Sequence, residues 1–245
     1  MRAIKSRVRG AANLSVLMEQ HQLISFATKF GFFLSSASRD PSKEFSLDRP
    51  EYESITFLPP AKPRRLHLTV PQIKHLRKHY ITTRAGLRTE QDPRLLDMDT
   101  TVQVWLRCCV DKEVFHCEQN RMRNSTRLNY LARVTQTTDA NARFREGVRP
   151  EVMEVSDYYI YIKFFCVHEF EGVTSMLFYG EYRHVEIIEG LVKDKGSWVN
   201  GFLDVFTLEN LCGTYTRGAP PNQTNWIIDD EFMMRKRMMD ANPLR

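Results

Sequence analysis

The sequence predicts an α+β fold that is mainly antiparallel β, a small barrel or sandwich of about seven strands with flanking helices at both ends. Between residues 101 and 228, short runs of aromatic and β-branched residues alternate with turn-forming residues, and no βαβ alternation is present. Helical periodicity is confined to the segments on either side. With 245 residues, 42% of them apolar, the chain is long enough to bury a substantial core.

Changes in composition divide the chain into five expected segments. They are an N-terminal helical segment at 1–34, a Ser-, Pro- and charge-rich linker or long loop at 35–60, a basic helical segment at 61–100, a β-rich module at 101–230, and a C-terminal basic helix or tail at 231–245. Apolar spacing predicts the first helix at 11–33 and the last at 231–239, the latter capped by Asp229 or Asp230.

Within the basic segment, a helix is expected at 71–81. Thr69 supplies a hydroxyl cap and Pro71 lies in the first turn, where its missing N–H is harmless. Helical spacing places Ile73, Leu76 and Tyr80 inward, and Lys74, His75, Arg77 and Lys78 outward.

The strands of the module follow from alternating and β-branched runs. We expect them at 101–110, 114–117, 128–134, 158–167, 173–179, 184–188, 201–206 and 226–228. The charged residues 189–200 are expected to form a loop, and Thr207 to cap a single helical turn at 208–212.

The strands at 158–167 and 173–179 are expected to form a central hairpin closed by a turn that contains Gly172. The aromatic side chains of its first strand, Tyr158, Tyr159, Tyr161, Phe164 and Phe165, stand beside Lys163. They are consistent with a stacking platform for bases, but we favour a core role because strands that are buried on both faces have this composition. His168 is expected to be a hairpin-turn residue rather than a metal ligand.

Charge is distributed unevenly along the chain. Residues 1–150 contain 26 lysines and arginines against 15 acids, whereas residues 151–245 contain 9 against 15. Residues 54–89 and 119–138 contain no acid at all. Clustered cations of this kind favour contact with nucleic-acid phosphates, and an ordinary solvated basic surface is the alternative. The residues predicted to bind nucleic acid are Lys62, Arg64, Arg65, Lys74, Arg77, Lys78, Arg121, Arg123 and Arg127.

The sequence predicts no catalytic residues, no metal site and no cofactor. Five cysteines without a CxxC pair argue against a disulfide framework or zinc ribbon and favour a reducing compartment. No run of eighteen apolar residues is present, so no membrane-spanning helix is expected. A two-metal nuclease site built from Asp97, Asp99, Asp204 and the acids at 229–231 is the least favoured alternative, because helix capping and loop formation explain these acids better.

Several segments together resemble a known family: IKSRVRGAANLSVLMEQH, LTVPQIKHLRKHY, EVFHC, RNSTRLNYLARV, YYIYIKFFCVHEFEG, SMLFYGEY and FLDVFTLENLCG. Their order over residues 4–215 is similar to the C-terminal region of fungal CACTA-class DNA-transposon transposases, which follows the catalytic domain. The resemblance implies a β-rich module similar to bromo-adjacent homology domains, without the catalytic acids. Two positions depart from the family pattern: Ile160 replaces its usual glycine, and Glu181–Tyr182 replaces a Trp-Tyr pair.

These observations predict a non-catalytic, transposon-derived module. Its expected partner is either nucleic acid, bound without sequence preference, or a chromatin protein, and the expected contact residues are 62–88 and 121–133. The expected location is nuclear or cytoplasmic. The alternative is a structural subunit of a larger assembly. A mitochondrial location is the alternative for the protein, because residues 1–18 contain four arginines and lysines and no acid. The sequence does not indicate an oligomeric state.

Overall fold

The computed structural model describes residues 44–58, 64–120, 130–139, 152–188, 191–218, 223–229 and 231. Within these ranges the strands are β1 (Ile55–Leu58), β2 (Arg64–His67), β3 (Thr101–Trp105), β4 (Arg107–Val110), β5 (Glu113–His116), β6 (Leu131–Asp139), β7 (Met153–Phe170), β8 (Val173–Ile188), β9 (Leu191–Asp204), β10 (Leu208–Leu211), β11 (Gly213–Arg217) and β12 (Thr224–Ile228). The helices are α1 (Val70–Thr83) and α2 (Pro93–Leu96), with short 3-10 turns at Pro50–Tyr52, Glu118–Asn120 and Val205–Thr207. The predicted terminal helices lie outside the described residues, apart from Glu231.

The strands form two antiparallel sheets. The large sheet has nine strands in the order β10-β6-β7-β8-β9-β12-β11, with β3 paired to the C-terminal half of β7 and β2 paired to β3. The small sheet has the order β1-β4-β5. Neither sheet closes into a barrel. The predicted mainly antiparallel α+β class is therefore confirmed. The barrel alternative is wrong, and the described residues form twelve strands instead of about seven.

The large sheet is covered on both faces. On one face Ile160 and Phe165 of β7 pack with Phe57 and Phe115 of the small sheet, and all four side chains are at most 1% exposed. On the other face Phe164 of β7 packs in a second core with residues of α1. Because successive residues of a strand point to opposite faces, a strand in the middle layer must be apolar at nearly every position. The continuous aromatic run therefore belongs mainly to the core.

The central hairpin is longer than the sequence indicated. Strands β7 and β8 have 18 and 16 residues. They are joined by a tight turn in which Glu171 has a φ of 50° and Gly172 a φ of 73°. Residues with positive φ at both central positions match the right-handed twist of the strands. His168 is a buried residue of β7 and not a turn residue, which corrects the expectation above.

Residues 189–200 were expected to form a loop, yet β9 begins at Leu191. The charges that suggested a loop are paired across strands: Arg183 of β8 with Asp194 of β9, and Glu186 of β8 with Lys195 of β9. Opposite charges on neighbouring strands stabilise a sheet, so a charged sequence is compatible with a strand here. Residues 184–188 likewise continue β8, and the expected helical turn at 208–212 is strand β10, paired with β6.

The expected linker at 35–60 contains ordered structure in its described part. Tyr52, Ile55, Phe57 and Leu58 are each at most 3% exposed, and β1 pairs with β4. Serine, proline and charge dominate the composition of this segment and obscure its apolar residues, which occur singly apart from Phe57 and Leu58. The basic segment that follows also contains a strand, β2, in addition to its helix.

Candidate nucleic-acid interface and an adjoining pocket

Helix α1 begins one residue before the predicted start and extends two residues beyond the predicted end. The backbone N–H of Thr69 donates to the Oε1 atom of Gln72 at 2.8 Å, which satisfies a donor at the helix N-terminus. Pro71 occupies the first turn. The helix runs for 14 residues to Thr83.

The inner face of α1 is fixed to the large sheet by apolar and polar contacts. Leu76 and Tyr80 are completely buried. The hydroxyl of Tyr80 lies 2.7 Å from Nδ1 of His168, whose Nε2 lies 2.8 Å from the carbonyl oxygen of Asp99. Because that carbonyl can only accept, Nε2 carries the proton and the Tyr80 hydroxyl donates to Nδ1. Burial lowers the pKa of His168, in keeping with this neutral form. The helix therefore has one defined orientation on the sheet.

The outer face of α1 presents Lys74 and Lys78, which are exposed and lie one helical turn apart. Two residues that were predicted to point outward are engaged with the protein instead. Arg77 donates from Nε to the carbonyl of Leu95 at 3.2 Å, and Nδ1 of His75 lies 3.1 Å from the hydroxyl of Tyr179. Ile73 is partly buried, as predicted.

Strand β2 adds Arg64 and Arg65, both exposed, and Arg88 is exposed in the loop after α1. We refer to Arg64, Arg65, Lys74, Lys78 and Arg88 as the unpaired cations, because none of them forms an ion pair with an acidic residue in the described part of the chain. Lys62, Arg121, Arg123 and Arg127, also predicted to bind nucleic acid, lie outside the described residues.

Arg133, at the end of the second acid-free stretch, is not available to a nucleic acid. Its side chain is 0% exposed and lies 3.3 Å from the carboxylate of Asp229, which is also 0% exposed. It also pairs with Glu231, and the hydroxyl of Tyr159 donates to Asp229 at 3.1 Å. The expectation that residues 121–133 form one binding surface is therefore wrong at Arg133. A lack of nearby acids in sequence did not predict the acids that the fold brings to this side chain.

A pocket of about 330 Å³ opens at the C-terminal end of α1. Its walls come from the 3-10 turn before β1, from α1, from β8 and from the end of β9. Asp204 is the central acid: its Oδ1 accepts a hydrogen bond from the Tyr52 hydroxyl at 3.2 Å, and its Oδ2 lies 3.6 Å from Nε2 of His79. Phe206 is 48% exposed and packs against Tyr52 with ring centroids 6.0 Å apart. Arg84 completes the rim.

Burial shifts both titrating groups of this pocket toward their uncharged forms. It raises the pKa of Asp204 to about 6, although the hydrogen bond from Tyr52 acts in the opposite direction. It lowers the pKa of His79 to about 4, against the effect of a hydrogen bond to the Phe202 backbone. At neutral pH His79 is therefore neutral and Asp204 is ionised, so the two form no salt bridge.

The other candidate groups do not converge on a reactive centre. Asp204 and Asp229, which the nuclease hypothesis would bring together, have the separate partners just described, and no group of three or more His, Cys, Asp or Glu among the described residues is placed to hold a metal ion. All five cysteines are buried, and none of them forms a disulfide. None of the described helices is long and apolar enough to span a membrane.

Sequence patterns did not indicate the pocket. Tyr52 lies in the expected linker, His79 in the basic helix, and Asp204 and Phe206 at the end of a strand some 120 residues further on. The one available indication was an acid within an apolar strand, Asp204 in the run GFLDVF, because a charged side chain at such a position is costly unless it has partners. Comparison of the chain with protein-family models, with curated proteins and with solved structures found no match.

Proposed function

We propose that this protein is a non-catalytic module that binds nucleic acid through phosphate contacts from the unpaired cations of β2, α1 and the following loop. The observation that carries the proposal is the exposure of these five side chains without acidic partners among the described residues. Phosphate contacts of this kind release counterions from the nucleic acid and depend little on base sequence. A transposon origin for the module stays a prediction, since no comparison tests it.

The support for α1 fits this role. Leu76, Tyr80 and the Tyr80–His168 hydrogen bond hold the helix on the sheet, so Lys74 and Lys78 occupy fixed positions on its outer face. A rigid scaffold lowers the entropy that is lost when charged side chains engage a phosphate backbone. No ion pair with a described acid neutralises these five side chains, so their charges remain available to an external anion.

The experiment is a titration of a fluorescein-labelled 20-base-pair duplex with the full chain, followed by fluorescence anisotropy over a series of salt concentrations. If about five phosphates are neutralised, the logarithm of the association constant should fall against the logarithm of salt with a slope of about −4.5. No affinity at about 50 mM salt, or an affinity that salt does not change, would contradict the proposal. Nucleosomes compared with free duplex of equal length separate chromatin binding from binding to bare nucleic acid.

Exposed apolar side chains favour a second candidate function, a structural subunit of a larger assembly. Met153 and Val155 near the start of β7 are 62% and 67% exposed, and Trp198 on β9 is 57% exposed. Exposed large apolar side chains on a sheet can belong to a protein interface. Chemical cross-linking in cells tests this function, because Lys193 and Lys195 lie on the same strand as Trp198. Cross-links from these lysines to one partner at constant stoichiometry would support it, and their absence would count against it.

A further inference from the structure

We propose that the pocket at the end of α1 holds a single nucleotide with a guanine base: the base stacks on Phe206, its N–H edge faces Asp204, and its phosphate pairs with Arg84. This inference rests on the proposed function, because the pocket adjoins the helix that presents Lys74 and Lys78. The inference adds a second mode of contact, in which the protein recognises the identity of one base and not only the charge of the phosphate backbone.

The acceptor side of the pocket is Asp204. One of its oxygens takes the hydrogen bond from Tyr52, while Oδ2 lies 3.6 Å from the nearest His79 nitrogen, beyond hydrogen-bonding distance. A carboxylate has about four lone-pair sites, so this one retains acceptor capacity directed at the pocket. Since His79 is neutral at pH 7, it does not neutralise the charge of Asp204.

Guanine is the base whose edge suits a carboxylate. It presents two adjacent donors, the ring N–H and the exocyclic amino group, which match the two oxygens of one carboxylate. On adenine and cytosine the amino group stands beside an unprotonated ring nitrogen, and uracil has one N–H between two carbonyls. Those neighbouring acceptors would face the carboxylate and repel it.

The aromatic and cationic sides of the pocket supply the remaining contacts. The Phe206 ring is about half exposed and packs against Tyr52 with the two ring planes tilted by 55°, so it offers exposed aromatic surface to a base. Arg84 follows α1 directly and forms no ion pair with a described residue, whereas Arg49 across the pocket pairs with Glu51 and donates to the Thr174 carbonyl. Arg84 is thus the cation left for a phosphate.

Size and position agree with a nucleotide. A volume of about 330 Å³ falls at the small end of ligand pockets, which run from about 300 to 1,000 Å³. Arg84 follows Lys78 by six residues, which is about 9 Å along the helix axis at 1.5 Å per residue. A strand whose phosphates follow the outer face of α1 can therefore place one unpaired or terminal base in the pocket.

Isothermal titration calorimetry of the full chain at pH 7.5 with GMP, AMP, CMP and UMP tests the assignment. We expect GMP to bind about tenfold more tightly than the others, and Asp204→Asn to remove this preference. Lys195→Gln, which removes a cation of β9 that does not line the pocket, is the matched control and should leave GMP affinity unchanged. Equal affinity for the four nucleotides, no binding of any of them, or an unaltered preference in Asp204→Asn would each overturn the proposal.

Arg84→Gln provides a second test at a partly exposed position outside both cores. In the wild type GMP should bind more tightly than guanosine, and in Arg84→Gln the two should bind equally, because the variant lacks the phosphate contact. A retained preference for GMP over guanosine would contradict the role of Arg84. Single-stranded oligonucleotides with one guanine, compared with free GMP, show whether the natural ligand is a nucleic acid or a free nucleotide.

These results can be separated from those that test the proposed function. Pocket variants should alter nucleotide affinity without changing the salt dependence of duplex binding. A protein that binds duplex in a salt-dependent manner but discriminates no nucleotide retains the proposed function and loses this inference.

Discussion

Lys74 and Lys78 on α1 have no acidic partner among the described residues, whereas Lys163 and Arg183, on β7 and β8, each lie between two carboxylates. Lys163 contacts Glu118 and Glu181, and Arg183 contacts Glu181 and Asp194. The two regions contain the same residue types but differ in what surrounds them. In the strands the charges are neutralised within the fold and contribute to its stability, while on the helix they remain available to an external anion.

The comparison shows why composition was an incomplete guide. Residues 64–88 and Arg133 both belong to acid-free stretches, yet the first stretch remains basic at the surface and Arg133 is buried with Asp229. Distance along the chain to the nearest acid says little about a residue in a sheet, whose neighbours come from other strands. The same sequence distance is a better guide for α1, because no other described element covers the outer face of this helix.

Replacement of Arg133 should have the largest effect on the paired region. Arg133→Met leaves the Asp229 carboxylate buried without its guanidinium, and the free energy of unfolding should fall by about 3–5 kcal/mol. Urea denaturation measures the change. The double variant Arg133→Met/Asp229→Leu, which removes both charges, should lose less than the single variant. A single variant as stable as the wild type would show that this pair is not a structural ion pair.

The pocket lies where the two regions meet, and its acid should give a pH-dependent effect. The folded-state pKa of Asp204 is raised by burial to about 6, so its contribution to stability is fully present below its ordinary pKa and is lost as pH rises through 6. The Asp204→Asn variant has no titrating group at this position, so its stability does not fall in this way as pH rises. The stability difference between variant and wild type should therefore shift in favour of the variant by roughly 2–3 kcal/mol between pH 4 and pH 7.

Thermal or urea unfolding of both proteins at several pH values provides that measurement. His79, whose pKa is lowered to about 4, contributes stability that is lost as pH falls below its ordinary value. It is present in both proteins, so its effect cancels in the difference. A difference that stays constant from pH 4 to pH 7 would contradict the assignment of a buried, titrating Asp204.

The two cross-strand ion pairs of β8 and β9 should show the smallest effects, Arg183 with Asp194 more than Lys195 with Glu186. Its guanidinium donates to both carboxylate oxygens of Asp194, at 3.2 and 3.0 Å, and lies 4.8 Å from the centre of the Tyr161 ring. Arg183→Lys keeps the charge but loses the paired geometry, which should cost about 1 kcal/mol. Lys195→Gln, at a more exposed pair with Glu186, should cost less than about 0.5 kcal/mol. Equal losses in the two variants would mean that the geometry of Arg183 does not matter.

Much of the fold could be predicted because it follows from local patterns. The helix at 71–81 and the central hairpin were predicted from capping, apolar spacing and β-branched content, and both are present. The misplaced elements have a common cause. Strand β1, the start of β9 and strand β10 are defined by their pairing with distant strands, which overrides local composition.

The candidate site likewise contains residues that local sequence patterns predicted and residues that only the fold brings together. Lys74 and Lys78 were predicted from helical spacing, because which residues share a helix face depends only on the helix. His79 and Asp204 come together across 125 residues of sequence, and no spacing rule predicts that contact. The inward role of His75 and Arg77 was missed for a related reason: their partners, Tyr179 and Leu95, belong to other elements.

The most direct test of the central claim compares the salt dependence of duplex binding for charge variants of the two regions. Lys74→Gln/Lys78→Gln removes two unpaired cations, and Lys163→Gln/Lys195→Gln removes two cations that are paired with acids within the sheet. If the unpaired cations contact phosphates, the first variant should reduce the magnitude of the salt slope by about 2, while the second variant should keep the wild-type slope. Equal slopes for the wild type and Lys74→Gln/Lys78→Gln would show that α1 does not bind nucleic acid.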